Sequence, residues 1–441
     1  MRLDIPERVE KIMDMVSSRG YESYLVGGCI RDILLRHQPR DWDIATDAPI
    51  PKLMELFNGA GVRVIPVGAG KGTIRVVLEG EVFEITTFRH GEGISGERPL
   101  EEDLSLRDFT INAMAYHRQL GFIDPFHGME DIRKGRIAAV GDGEKRFQED
   151  PLRIIRGVRL AGELNFTIHP RTKDSMYKMR KELKRVSIER IRDELSKILL
   201  QDRPSASLRL LKDLELLDYI IPELNACVDF DQRSPYHDRD VFEHTLLVVD
   251  GTPREITVRL AALLHDIAKP RCFTVDQEGV GHFYSHNQVG AEMAQKILQR
   301  LRYSNRIIKN VSILVKEHMY QMEHIQPKAV KRLMNRLGEE NLEAFFQLKR
   351  ADLLGTKAPQ DVWKLENLRR VCMEILNRPR LMTVKDLAIN GHDLLGLGIP
   401  QGKEIGEMLE YLLEHVLDHP DLNEREILID LAKQKWVQGR A

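Results

Sequence analysis

The sequence predicts an α+β chain in which a strand-bearing head precedes a long helical body. Residues 22 to 117 alternate short β-branched runs with loops, the pattern of half-buried strands. From about residue 137 onward, apolar residues recur at helical spacing almost without interruption. With 441 residues, 42% of them hydrophobic and 30% charged, the chain has material for about three domains at one per ~150 residues.

Taken in order, Ile5, Val9, Ile12, Met13 and Val16 mark a first amphipathic helix. Strands are expected at Ser23 to Val26, Trp42 to Ala45, Val62 to Val67, Thr73 to Leu78, Val82 to Thr87 and Ile111 to Tyr116. In the body, Ile188, Ile191, Leu195, Ile198 and Leu199 line one stripe of a helix. Polar residues and prolines break the periodicity near Arg203-Pro204, from Asp231 to Pro235 and from Asn377 to Arg380. These breaks suggest divisions at 1–136, 137–203, 204–380 and 381–441. No internal repeat or low-complexity segment interrupts them.

Composition narrows the function classes. Four cysteines, Cys29, Cys227, Cys272 and Cys372, lie far apart, which argues against a disulfide framework and against a cysteine zinc site. No apolar run approaches the ~18 residues of a membrane span, and acids among the first apolar positions argue against a secretory leader, so a cytoplasmic location is expected. Lys+Arg 66 against Asp+Glu 68 leaves a formal charge of −2, so any affinity for nucleic acid must be local. From Arg171 to Arg192 nine basic residues face three acidic ones, which reads equally as a solvated helix face or as a nucleic-acid stripe.

The sharpest cluster in the head is Leu25-Val26-Gly27-Gly28-Cys29-Ile30-Arg31-Asp32, followed by Asp41-Trp42-Asp43. Two glycines between a strand and a helix let backbone N–H groups approach phosphate oxygens, and the helix adds the positive end of its dipole. Asp41 and Asp43, two apart on an expected strand, leave the same face and can grip divalent cations together. Paired Mg²⁺ ions there would activate an attacking hydroxyl and stabilise a leaving pyrophosphate. Glu84, on the Val82 to Thr87 strand, is the candidate third carboxylate. Arg107-Asp108, at the entry to Ile111 to Tyr116, suits triphosphate and ribose, or equally a structural ion pair.

Glu149-Asp150-Pro151-Leu152-Arg153 reads as the opening of a helix, with Asp150 and Arg153 neighbours on one face. An acceptor beside a fixed donor fork is complementary to a base edge that presents an amino group next to a ring nitrogen. Cytosine and adenine offer such an edge. Uracil and guanine place a carbonyl oxygen against the aspartate and are repelled.

In this order the segments resemble the class II tRNA nucleotidyltransferase and bacterial poly(A) polymerase family, which builds the 3′ CCA end of tRNA from CTP and ATP. The resemblance implies a polymerase-β-like nucleotidyltransferase head, an all-α neck that selects the base, a helical body and a tRNA-holding tail, on the divisions given above. It puts the metal aspartates at Asp41 and Asp43, the ribose and triphosphate motif at Arg107 and Asp108, and the protein template at Asp150 and Arg153. Gly27, Gly28, Arg31, Asn112, Arg156 and Arg159 complete the implied nucleotide-binding set. Asp124-Pro125-Phe126 with Gly128 and Asp131 resembles the family's hinge element, and Ile188-Glu189-Arg190-Ile191 with Glu194-Leu195 its neck helix. Gly391-His392-Asp393-Leu394, Gly398, Gly406 and Asn423 resemble its tail. Two departures stand out. Leu106 occupies a position where the family usually has a second arginine, and the stretch between Arg89 and Leu104 is shorter than the family's flexible loop by roughly eight residues.

A second cluster lies in the body. Pro235-Tyr236-His237, Glu243-His244-Thr245 and Leu263-Leu264-His265-Asp266-Ile267-Ala268-Lys269 resemble the HD phosphohydrolase superfamily. The implied ligands are His244, His265, Asp266 and Asp352, with His286 and His318 extending the site to a second metal. Imidazoles and carboxylates from separate helices suit Ni²⁺, Mn²⁺ or a similar ion better than a closed zinc site.

The expected function is therefore Mg²⁺-dependent addition of nucleotides to tRNA 3′ ends. The short loop favours CC addition, with the terminal A left to a separate enzyme, over full CCA addition, A addition or poly(A) synthesis. The reading from a different class is a metal phosphohydrolase of 2′,3′-cyclic or terminal phosphates.

Overall fold

The structure is a computed structural model that describes residues 3, 5–39, 41–67, 72–88, 99–234, 239–320, 325–357, 361–376 and 383–438. The chain forms two compact units, Met1–Pro222 and Glu223–Ala441. The first is α+β and the second almost wholly helical, as the hydrophobic periods predict. No described helix is long and apolar enough to cross a membrane.

The head is built on seven strands: β1 (Ser23–Val26), β2 (Asp43–Thr46), β3 (Arg63–Val67), β4 (Thr73–Leu78), β5 (Glu81–Thr87), β6 (Ala115–His117) and β7 (Gly121–Ile123). Their spatial order is β3-β4-β5-β2-β1-β6-β7. Every pair is antiparallel except β2 with β5, which run parallel and place Asp43 opposite Glu84. The first helix, Glu7–Ser17, buries Val9, Ile12, Met13 and Val16 in the head's main apolar cluster with Leu25, Ile44, Phe57, Ile74 and Ile85. Each such side chain contributes about 1.5–3 kcal/mol of burial, so the sheet is a rigid platform for the residues at its strand ends.

Four expectations need correction. The run Ile111 to Tyr116 is not one strand. Thr110–Asn112 form a 3₁₀ turn and the strand begins at Ala115, because Asn112 Nδ2 donates to Asp108 Oδ1 at 3.0 Å and its amide to Phe109 O at 2.9 Å, a local alternative to the ladder. Strand β2 begins at Asp43, so Asp41 stands just before it and is exposed. Asp150 opens no helix: it is an extended joint (φ −144°, ψ 96°) between helices Gly143–Glu149 and Leu152–Leu164, since the following proline disfavours the helical region at that position. The body is also less uniformly helical than its periodicity suggests, with strand pairs Arg136–Ile137 with Thr167–Ile168 and Phe273–Val275 with Gly281–Phe283.

In the second unit, helices Val241–Gly251, Ile256–Leu264, His286–Arg300, Asn305–Glu317 and Leu342–Leu354 pack on one another. A separate apolar cluster around Leu394, Leu412, Val416 and Leu428 organises the last stretch. There Asn423 accepts from the Ala388 amide at 2.8 Å and donates to Asp386 O at 2.9 Å, and Asp393 takes the Arg425 guanidinium at 2.8 Å.

Candidate functional site

Gly27 is the hinge between β1 and the helix Gly28–Leu34, with φ +80° and ψ −137°, a conformation open to glycine. A Cβ there would stand 2.8 Å from Arg107 Nη1 and 3.4 Å from Asp43 Oδ2. The glycine therefore makes the cradle in which an arginine and a carboxylate approach the backbone. Burial pushes the Asp43 carboxyl above its ordinary range; Glu84 and Asp41 push the same way, while Arg107 and Arg156 pull it down. Glu84, beside Asp43 in the parallel register, already takes the Arg75 guanidinium at 2.7 Å. Asp41, Asp43 and Glu84 are the candidates to hold a hard divalent cation, but among the described residues their oxygens do not gather into a three-ligand cluster as the histidines and aspartates of the second unit do.

A polar chain runs outward from this cradle. Arg31 Nη1 donates to Asn112 Oδ1 at 2.9 Å, Asn112 Nδ2 donates to Asp108 Oδ1, and Asp108 Oδ2 takes Arg156 Nε at 3.0 Å. Burial would raise the Asp108 carboxyl, but Arg156, Asn112 and the Phe109 amide hold it below the ordinary range. Arg107 is fixed by the buried Asp103, which accepts from its Nη2 at 3.0 Å and its Nε at 3.2 Å, leaving Nη1 toward Gly27. Asp103 was not among the sequence candidates, although its spacing of four residues from Arg107 in a helical context is a signal for such a pair.

The two template candidates are held differently. Arg153 donates to the carbonyls of Leu106 at 2.8 Å and Arg146 at 3.2 Å, and pairs with Glu149 at 3.3 Å. Asp150 makes a two-pronged ion pair with Arg190, at 3.1 and 2.8 Å, and accepts from the Leu152 amide at 3.3 Å. Arg159 pairs with Glu194 at 2.7 Å and with Glu163 at 2.8 Å, which ties helix Leu152–Leu164 to helix Ile188–Leu199. Asp124 and Asp131, expected in a hinge element, make local contacts: Asp124 accepts from the Gly128 amide at 2.7 Å, and Asp131 from Thr110 Oγ1 at 2.6 Å. Much of the basic segment is paired as well, with Lys178 on Glu144, Arg180 on Glu215, Arg185 on Glu182 and Arg192 on Asp193.

The second unit gathers His244, His265, Asp266, His286, His318 and Asp352 from five helices or helix ends. All four imidazoles turn Nδ1 to a backbone carbonyl: His244 to Gly355 at 3.3 Å, His265 to Ala262 at 2.8 Å, His286 to Phe283 at 2.7 Å and His318 to Val315 at 2.6 Å. Their Nε2 atoms converge on Asp266. His244 and His265 lie 3.7 and 3.2 Å from Oδ2, while His286 and His318 lie 3.4 and 3.6 Å from Oδ1. Asp352 stands 3.2 Å from His244 Nε2. The buried His265 Nε2 has no hydrogen-bond partner of good geometry. Carbonyl-anchored imidazoles around carboxylates form the support that metal-binding histidines use. Burial lowers His318 to about 4, whereas at His265 the Asp266 and Asp352 carboxylates outweigh burial and raise the pKa. Lys269, the last residue of the Leu263 to Lys269 motif, lies 2.7 Å from Asp266 Oδ2 and 2.9 Å from Gln232 Oε1 and so adds a positive charge beside the aspartate. Pro235-Tyr236-His237 and most of the short loop, residues 89–98, lie outside the described residues.

Comparison with known proteins accounts for most of the chain. Residues 23–138 match the poly A polymerase head domain, 165–228 an RNA- and SrmB-binding site of polymerase A, and 280–432 domain 2 of tRNA nucleotidyltransferases. The chain is 32% identical to the CC-adding tRNA nucleotidyltransferase of Thermus thermophilus over 410 residues, 89% of each chain. It is 31% identical to the A-adding tRNA nucleotidyltransferase of Deinococcus radiodurans, over 88% of this chain and 90% of that one. Among solved structures, the CCA-adding enzyme of Bacillus stearothermophilus in complex with CTP superposes with a TM-score of 0.70 and 27% identity, covering 98% of both chains. With relatives of this kind spanned nearly end to end, the chain belongs to the tRNA nucleotidyltransferase family that includes CCA-adding, CC-adding and A-adding enzymes.

Proposed function

We propose that the chain adds the two cytidines of the 3′-terminal CCA to tRNA from CTP. The observation that carries the transferase reading is Asp43, set among the charges of Asp41, Glu84, Arg107 and Arg156 directly behind Gly27. Asp41 and Asp43 would hold Mg²⁺, which when bound activates the attacking 3′ hydroxyl and neutralises charge on the leaving pyrophosphate. The amides after Gly27 and the Arg107 and Arg156 guanidinia bind the triphosphate, and Arg31 and Asn112 hold Asp108 at the sugar. Asp150 and Arg153 read the base, accepting from the exocyclic amino group and donating to the ring nitrogen.

The restriction to CC rests on the shortened stretch from Gly91 to Leu100, because a longer loop is the lever by which such a template changes from a cytosine to an adenine geometry. On this reading a separate enzyme supplies the terminal A, and the reaction is cytoplasmic. Incubating the purified protein with CTP, ATP or both, on tRNAs ending before C, after C and after CC, tests it. Efficient addition of A to the tRNA ending in CC refutes the restriction and leaves the transferase reading standing.

The six converging histidines and aspartates favour a second activity, hydrolysis of 2′,3′-cyclic or terminal phosphates with Mn²⁺ or Ni²⁺ held by His244, His265, Asp266 and Asp352. His265→Ala is expected to abolish that hydrolysis and spare nucleotide addition. Failure of the unmodified protein to hydrolyse such substrates with either metal overturns this activity.

A further inference from the structure

Arg153 and Asp150 differ in how firmly they are held. Arg153 is 16% exposed and anchored to two main-chain carbonyls, which cannot shift without deforming the end of helix Gly143–Glu149 or the segment leading to Arg107. Asp150 stands in an extended joint, so no helix fixes its side chain. Apart from the Leu152 amide, the contact that orients its carboxylate is the two-pronged pair with Arg190. Arg190 comes from the first turn of helix Ile188–Leu199, whose other face is pinned by buried Ile191, Leu195, Ile198 and Leu199.

We propose that Arg190 is a positioning residue for base selection, setting the plane of the Asp150 carboxylate so that one oxygen meets the amino group of the incoming base. This rests on the reading of Asp150 and Arg153 as the template. A guanidinium fork matched to a carboxylate fixes the plane as well as the position of the acid. Each carboxylate oxygen has two lone pairs, so Asp150 keeps Arg190 while accepting from cytosine N4. The pair is 51% and 32% exposed, so it is screened by solvent and yields to a base more readily than the buried anchors of Arg153 do. Without Arg190 the carboxylate rotates, and its repulsion of the uracil O4 carbonyl is no longer directed.

The test compares kcat/KM for CTP and UTP on a tRNA transcript lacking its 3′ CCA, using the full chain and the variants Arg190→Ala, Arg190→Lys, Asp150→Ala and the double alanine variant. Arg190→Ala is expected to lower the CTP-to-UTP ratio about tenfold, mainly through a higher KM for CTP. Lysine restores only part of it, since it supplies charge without the planar fork. In the Asp150→Ala background, loss of Arg190 is expected to leave the ratio unchanged, because Arg190 acts through Asp150. If Arg190→Ala slows CTP and UTP alike while Asp150→Ala collapses the ratio, Arg190 is a scaffold or tRNA contact and the proposal falls alone. If Asp150→Ala leaves the ratio intact, the template reading falls and this proposal with it. Arg190→Gln, which retains a donor, replaces the alanine variant should that one fail to fold.

Discussion

His286 Nε2 and His318 Nε2 face each other at 3.3 Å, and each lies within 3.6 Å of Asp266 Oδ1. Both rings spend their Nδ1 proton on a backbone carbonyl, so in the neutral form each presents a lone pair toward the other and toward the carboxylate. Three acceptors meeting in a buried space favour positive charge between them, supplied by an added proton on one ring or by a bound metal ion. If a metal ion fills that role, as the proposed second activity needs, the metal-free protein is expected to bind Mn²⁺ or Ni²⁺ in calorimetry and to melt higher when loaded. His318→Ala should lower that affinity at least tenfold, on the scale seen when support around a metal is lost. An unmodified protein that takes up neither ion would refute this.

Asp43 carries a charge that its surroundings disfavour. An acid whose folded pKa is raised costs the folded state stability at every pH above its unfolded value of about 3.9. Asp43→Asn is thus expected to melt higher than the parent in EDTA, although its nucleotide transfer is abolished. Mg²⁺ should raise the melting temperature of the parent more than that of the variant, narrowing the gap. A variant that melts lower in EDTA would mean that the carboxylate supports the fold and is not held in reserve for a cation.

The sheet was largely legible because its signal is local. Ser23–Val26 and Thr73–Leu78 begin and end where β-branched composition places them, and the parallel register sets Glu84 beside Asp43. Failures came where a side chain or a proline overrides composition: Asn112 bonding to Asp108 broke the expected strand, and Pro151 drew Asp150 out of its helix. The Asp150–Arg190 pair spans forty residues and depends on how one helix packs beside another, which no periodicity records. The histidine centre is implied by the resemblance of its motifs to a phosphohydrolase superfamily, yet the carbonyl anchoring that orients its rings appears only in three dimensions.

Asp108 shows the opposite sign from Asp43. Its folded pKa lies below the unfolded value, so its ion pair contributes stability that is fully present above about pH 4 and is lost as pH falls through the depressed folded value. Asp108→Asn is expected to cost about 0.5–1.5 kcal/mol at pH 7, the net range for a hydrogen bond, because the half-exposed Arg156 is rehydrated when its partner loses its charge. The difference between parent and variant should shrink below pH 4 in urea unfolding. A constant gap from pH 3 to pH 7 would show that the aspartate acts through its shape.

The two glycines behind the cradle are expected to differ sharply. At Gly27 an alanine would adopt a positive φ, costing about 1–3 kcal/mol, and its methyl would press on Arg107 Nη1. That guanidinium is the end of a long side chain, but Asp103 grips it at Nε and Nη2, so it cannot swing aside without breaking a buried pair. At Gly28, inside the first turn of its helix, the nearest atom to a new Cβ is Arg31 Nη2 at 3.6 Å, an ordinary contact, and the backbone N–H remains in place. If Arg107 binds the triphosphate as proposed, Gly27→Ala should therefore lower kcat/KM for CTP at least tenfold by displacing it. Gly28→Ala should stay within a few-fold of the parent. Equal losses in steady-state assays of the two variants would mean that both glycines serve the turn alone, and that Arg107 does not depend on the missing side chain at position 27.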